Sequence, residues 1–230
     1  MSEFVTSSAF FGVAVSLGAY WLGTLLKKKT GLALCNPLLI AILLTIGLLL
    51  VLGVDYETYN AGAKYLGWLL TTATVCLAIP LYEQWTLLKQ NARAVLLGIL
   101  AGVLANALCI LAMAMLFRLD HSAYVTLLPK SVTTAIGMEV SRELGGYVPI
   151  TVVCILITGT SGNLLAELFC RVFRITEPIA RGVACGTSAH AIGTAKAMEM
   201  GRVEGAMSSL SIAVAGILTV IGANVFAMLW

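Results

Sequence analysis

GTSAHAIGTAK, Gly186 to Lys196, is a run of glycines, small hydroxyl residues, one histidine and one lysine inside a chain otherwise built of membrane-length apolar stretches. Hydrocarbon leaves exposed polar groups without partners, so such a run is tolerated only where it faces protein or a water-filled cavity. A related run, LPKSVTTAIG, covers Leu128 to Gly137. Both contain an Ala-Ile-Gly step, Ala135-Ile136-Gly137 and Ala191-Ile192-Gly193. Two polar interruptions of this kind predict an all-α polytopic membrane protein with broken elements and a pathway for a small polar solute.

Composition agrees. Of the 230 residues, 60% are hydrophobic and only 11% charged, and the mean hydropathy is +0.97. That excludes a soluble globular chain and predicts one integral membrane domain over 1–230. The net charge of +3 is scattered, and its one basic run, Lys27-Lys28-Lys29, follows an apolar stretch. It reads as a topology anchor, not as a nucleic-acid patch. The six cysteines lie singly, without metal-ligand spacing or a disulfide framework. The N-terminus lacks a signal-peptide pattern, so the first apolar segment is expected to remain as a spanning helix.

Spanning helices, which need about 20 apolar residues each, are predicted over 4–26, 32–54, 94–117, 147–173 and 206–229. The pieces 62–82, 122–141 and 176–200 are less regular. A weak self-similarity at a shift of 112 to 114 residues aligns Pro37–Gly47 with Pro149–Gly159. It suggests repeat 1 over about 1–117 and repeat 2 over about 118–230, each helix, helix, re-entrant or broken element, helix. Three crossings per repeat would make the halves inverted, as in secondary transporters. With Lys27–Lys29 inside, that plan puts eight basic residues inside and four outside, in its favour.

Helix N-termini offer free N–H groups and partial positive charge, so half-helices that start inside the membrane suit anions. Pro129, Lys130, Ser131, Thr133 and Thr134 fit one such start, and Gly186, Thr187 and Ser188 a second. Their meeting would make a cradle for a small carboxylate. Lys130 is expected to pair with it; the alternatives are snorkelling or pairing with Glu139 or Glu143. His190 could bind substrate, carry a coupling proton or simply pack. Thr194 belongs to the same polar run. Lys196, Asn36, Tyr82 and Glu83 are candidates for coupling or lining the cavity, or are merely interfacial. No enzyme template is present: Ser188 and His190 are too close in sequence to face each other on a helix. No cofactor and no metal site is expected.

The runs NPLL at 36–39, PLYEQ at 80–84, LPKSVTTAIGM at 128–138 and RGVACGTSAHAIGTAKAMEMGRVEGAMSSL at 181–210 resemble the LrgB/CidB family over nearly the whole chain. The resemblance implies a bacterial inner-membrane, multi-pass protein. It also implies two roles. One is antiholin- or holin-like regulation of murein hydrolases and lysis, with a small LrgA/CidA-type membrane partner. The other is carriage of small monocarboxylates such as glycolate, glycerate or pyruvate, as in the related plastidal translocator. The paired polar runs favour the carrier, which is the principal expectation; the lysis regulator is its rival. Proton coupling through His190 or Glu83, an elevator-like motion and a homodimer are further expectations.

Overall fold

The computed structural model describes residues 8, 10–30, 37–76 and 78–230. The regular elements among them are all helices. Asn36, and the beginnings of the spans expected over 4–26 and 32–54, lie outside the described residues. The chain divides into two compact units, Met1–Cys76 and Leu77–Trp230.

The first unit holds α1 (Phe11–Thr30), α2 (Pro37–Leu52) and α3 (Tyr56–Cys76). Gly12 is where α1 meets α3: a Cβ there would run into the backbone of Tyr59 and Ala63. Ser16 and Tyr59 share a 2.7 Å hydroxyl hydrogen bond beside that contact. Asp55 precedes α3, and the Thr58 side chain, hydrogen-bonded to it, holds its carboxyl below the usual carboxylate range.

The second unit begins with the short α4 (Ala78–Glu83), where Pro80 sits in the first turn and so removes no helical hydrogen bond. The region 62–82, expected to be irregular, is thus helical wherever it is described. Then come α5 (Trp85–Phe117), α6 (His121–Leu127), α7 (Thr134–Glu143), α8 (Val148–Val172), α9 (Pro178–Met200) and α10 (Arg202–Ala227). Pro149 and Pro178 open α8 and α9 at positions where a proline is pre-organised for a helix.

Two of these pieces are helical hairpins. In α9 the backbone leaves helical geometry at Ala189 (φ −128°, ψ 16°) and His190 (φ 43°, ψ −139°). A Cβ on Gly193 would lie 2.6 Å from the Cys185 carbonyl oxygen. Eight residues of continuous helix would hold those positions about 12 Å apart, so the chain has folded back. The packing on α10 agrees. Gly182 and Gly186 meet Glu204 and Ser208 in parallel order. Thr194 and Gly205's neighbour Met198 meet Ser208 and Gly205 in antiparallel order. The other hairpin is α6, the turn at 128–133 and α7, where Gly137 lies against the Pro129 carbonyl, again eight residues back.

The core joins Leu88, Val95 and Ile99 of α5 to Val183, Ala206, Met207 and Ala215. A second cluster packs Ile110 and Ala114 against Tyr124, Val125, Leu128 and Ala227. Among the described residues, three helices are long and apolar enough to cross a membrane: α5, α8 and α10. Their most apolar stretches are only 28%, 22% and 33% buried, so most of their apolar surface is left for lipid. They match the spans expected over 94–117, 147–173 and 206–229. Helix α1 does not reach that standard, and α2, with 16 described residues, is a shorter apolar helix.

Candidate functional site

One face of α5 carries Asn91, Ala94, Gly98, Gly102 and Asn106, three or four residues apart and therefore in line, with Ala105 beside them. The small members leave room beside the helix. α8 contributes Thr158 and Gly162, the first arm of α9 contributes Val183, Thr187 and Ser188, and the 128–133 turn contributes Lys130 and Ser131. Together they enclose a cavity of about 860 Å³, in the size range of small-molecule sites. Glu177 lines it as well, from the exposed start of α9.

Three linked hydrogen bonds hold the polar wall. Lys130 Nζ donates to Ser131 Oγ at 3.2 Å. Ser131 Oγ in turn donates to Asn106 Oδ1 at 3.1 Å. Asn106 Nδ2 donates to the Leu128 carbonyl at 3.4 Å. An amide in the middle of an apolar helix thus ties down the tip of the first hairpin. Among the described residues Lys130 has no ion pair, and Glu139, one partner anticipated for it, is bonded to Arg142 at 2.6 Å. Thr187 Oγ1 is buried without a hydrogen-bond partner among the described residues. A buried hydroxyl in that condition is destabilising by about 1–3 kcal/mol, so its place on the cavity wall is suited to a polar ligand atom.

The second hairpin tip is held similarly. Asn163 Nδ2, on α8, donates to the Ile192 carbonyl at 2.9 Å. His190 is 3% exposed, and its Nε2–H donates to the Ile155 carbonyl at 3.1 Å. The carbonyl only accepts, which fixes that tautomer. Gly159 leaves space for the imidazole: a Cβ there would sit 2.7 Å from Cε1 and Nε2. At Gly162 a Cβ would strike that of Ala189. Thr194 Oγ1 donates to the His190 carbonyl at 3.0 Å and so accepts from Ser208 Oγ at 2.7 Å.

Of the residues singled out from sequence, Lys130, Ser131, Thr187 and Ser188 come together on one cavity. Gly186 is packed against α10 instead, and His190 and Thr194 against α8 and α10. Thr133 is the N-cap residue of α7 and Thr134 its first residue, and neither lines the cavity. The two helix starts fall elsewhere than expected. α7 begins four residues past Lys130. Gly186–Ser188 end the first arm of α9, so carbonyls, not N–H groups, are free there. Lys196 forms ion pairs with Glu167 (2.6 Å) and Glu199 (3.3 Å). Tyr82 and Glu83 are exposed on α4. Sequence reasoning missed Asn91, Asn106 and Thr158; the legible signal was an asparagine ending a stripe of Ala94, Gly98 and Gly102.

The LrgB-like family model matches residues 16–229. This chain belongs to the LrgB-like family. It is 38% identical to the antiholin-like protein LrgB of Bacillus subtilis (strain 168) over 225 residues, 97% of each chain. It is likewise 38% identical over 217 residues to proteins of the same name from Bacillus cereus (strain B4264) and Bacillus anthracis (strain CDC 684 / NRRL 3495), covering 94% of each. No solved structure matches. The family and the apolar helices make the chain a membrane protein. The relatives' shared name favours the lysis-regulator expectation over the carrier.

Proposed function

We propose that this LrgB-family protein is an antiholin-like regulator in a bacterial inner membrane, acting with a small membrane partner of the LrgA/CidA type. The observation behind this reading is the antiholin-like name shared by relatives 38% identical over nearly the whole chain. The experiment is lysis and murein hydrolase activity in cells lacking the gene. Wild type restores control in the presence of the partner, and the reading fails if lysis is unchanged by deletion and by complementation.

A second reading is favoured by one geometric observation: Lys130, without a carboxylate partner among the described residues, and the orphan Thr187 hydroxyl line the same cavity. On this reading the protein is a secondary carrier of small monocarboxylates. Lys130 meets the carboxylate, while Ser131, Thr187 and Ser188 offer hydroxyls to the rest of the solute. Both hairpins lie within 118–230, and on this reading they would be re-entrant elements of that half, moved together in alternating access. Uptake of labelled glycolate, glycerate and pyruvate into proteoliposomes, wild type beside Lys130→Ala, tests it. Saturable uptake lost in a folded Lys130→Ala protein supports the carrier. Wild-type protein that restores lysis control yet takes up none of the three acids, with or without a proton gradient, removes it.

A further inference from the structure

The end of α8 carries a second polar pocket, distinct from the Lys130 cavity. It measures about 660 Å³ and its walls include Arg171, Arg174, Thr176 and Arg181, with Glu167 and Glu199. Both carboxylates contact Lys196. Three arginines against two carboxylates leave the lining with one positive charge in excess, and Lys196, outside the lining, offsets those carboxylates further. Arg181 is oriented by its Nε, which donates to the Ile175 carbonyl at 2.7 Å. Arg171 and Arg174 make no ion pair among the described residues and are exposed.

Backbone geometry fixes where Arg174 stands. α8 ends with Ile175 N–H bonded to the Cys170 carbonyl and Arg174 N–H to that of Arg171, the two bonds of a Schellman motif. Arg174 takes its left-handed position at φ 54°, where glycine is usual. Around the same turn Leu168, Phe169, Val172 and Phe173 are 52% to 66% exposed. The Phe169 and Phe173 rings stack with centroids 6.0 Å apart. Guanidinium groups and an uncovered apolar stripe thus alternate at the polar end of a helix long enough to cross a membrane.

We propose that this pocket binds the phosphate of an anionic phospholipid, whose acyl chains lie along Phe169 and Phe173. Planar guanidinium forks suit phosphate oxygens, and basic pockets at the ends of spanning helices are where such headgroups are reached. The proposal does not depend on either reading of the Lys130 cavity.

The test is thermal unfolding of the full chain in neutral detergent, with added phosphatidylglycerol, phosphatidylcholine or inorganic phosphate. Phosphatidylglycerol is expected to raise the unfolding temperature by about 3–5 °C over phosphatidylcholine, and inorganic phosphate at millimolar concentration to leave it unchanged. Arg171→Gln/Arg174→Gln should lose that difference, and Lys28→Gln/Lys29→Gln, with the same change in charge, should keep it. Arg174→Gly suits the left-handed turn, so it guards against misfolding and should lose most of the effect. Equal shifts with both lipids, equal loss in both double variants, or a shift with inorganic phosphate matching phosphatidylglycerol overturns the proposal.

Discussion

Asn106, in the middle of α5, accepts a hydrogen bond from Ser131 Oγ at 3.1 Å while its amide donates to the Leu128 carbonyl. One side chain thereby fixes both the backbone of the first hairpin tip and the hydroxyl that Lys130 bonds. Asn106→Leu removes both bonds and leaves Ser131 buried without its acceptor. The expected loss is about 1–3 kcal/mol of stability, read as a lower unfolding temperature in detergent. Asn106→Asp instead places a carboxylate beside Ser131 and Lys130. It should keep the fold and weaken any carboxylate ligand at least about tenfold, because an internal anion competes for the ammonium, as titration of a small carboxylate would read.

Thr187→Val separates stability from binding. The hydroxyl has no internal partner among the described residues, so its replacement by a methyl group should leave stability unchanged or raise it by about 1 kcal/mol. Ligand affinity should fall all the same. If the variant unfolds at a temperature several degrees lower, the hydroxyl has an internal partner after all.

His190 tests the second hairpin. Its φ of 43° with ψ of −139° is a conformation open to glycine and strained for alanine. Both His190→Ala and His190→Gly lose the bond to the Ile155 carbonyl. The glycine variant should nonetheless be the more stable of the two, by about 1 kcal/mol. Comparative thermal unfolding decides the order, which a continuous helix would reverse.

Gly159→Ala places a methyl group 2.7 Å from the His190 ring. The ring is buried, so relief requires movement of the hairpin tip, and a loss of about 1–3 kcal/mol is expected. Gly18→Ala, in α1, meets nothing within 4 Å and should stabilise by about 0.5–1 kcal/mol through helix propensity alone. A Gly159→Ala protein that unfolds at or above the wild-type temperature, as Gly18→Ala should, would refute the close approach at Gly159.

The apolar periods and the polar runs at 128–137 and 186–196 by themselves determined a helical membrane protein, its three long spans in the second unit and the two places where helices break. These follow from local chemistry: hydrocarbon demands long apolar helices, and hydroxyl-rich glycine runs interrupt them. Only the tertiary structure decided which polar residues share a cavity. His190 and Lys130 look equally promising along the chain, yet the fold-back at 189–190 packs the imidazole against Gly159, while the turn at 128–133 leaves the ammonium on the cavity. The role of Asn106 is not legible along its own helix, because its partners lie 22 and 25 residues further along the chain. The direction in which a chain leaves a break depends on what it packs against, and no local pattern encodes that.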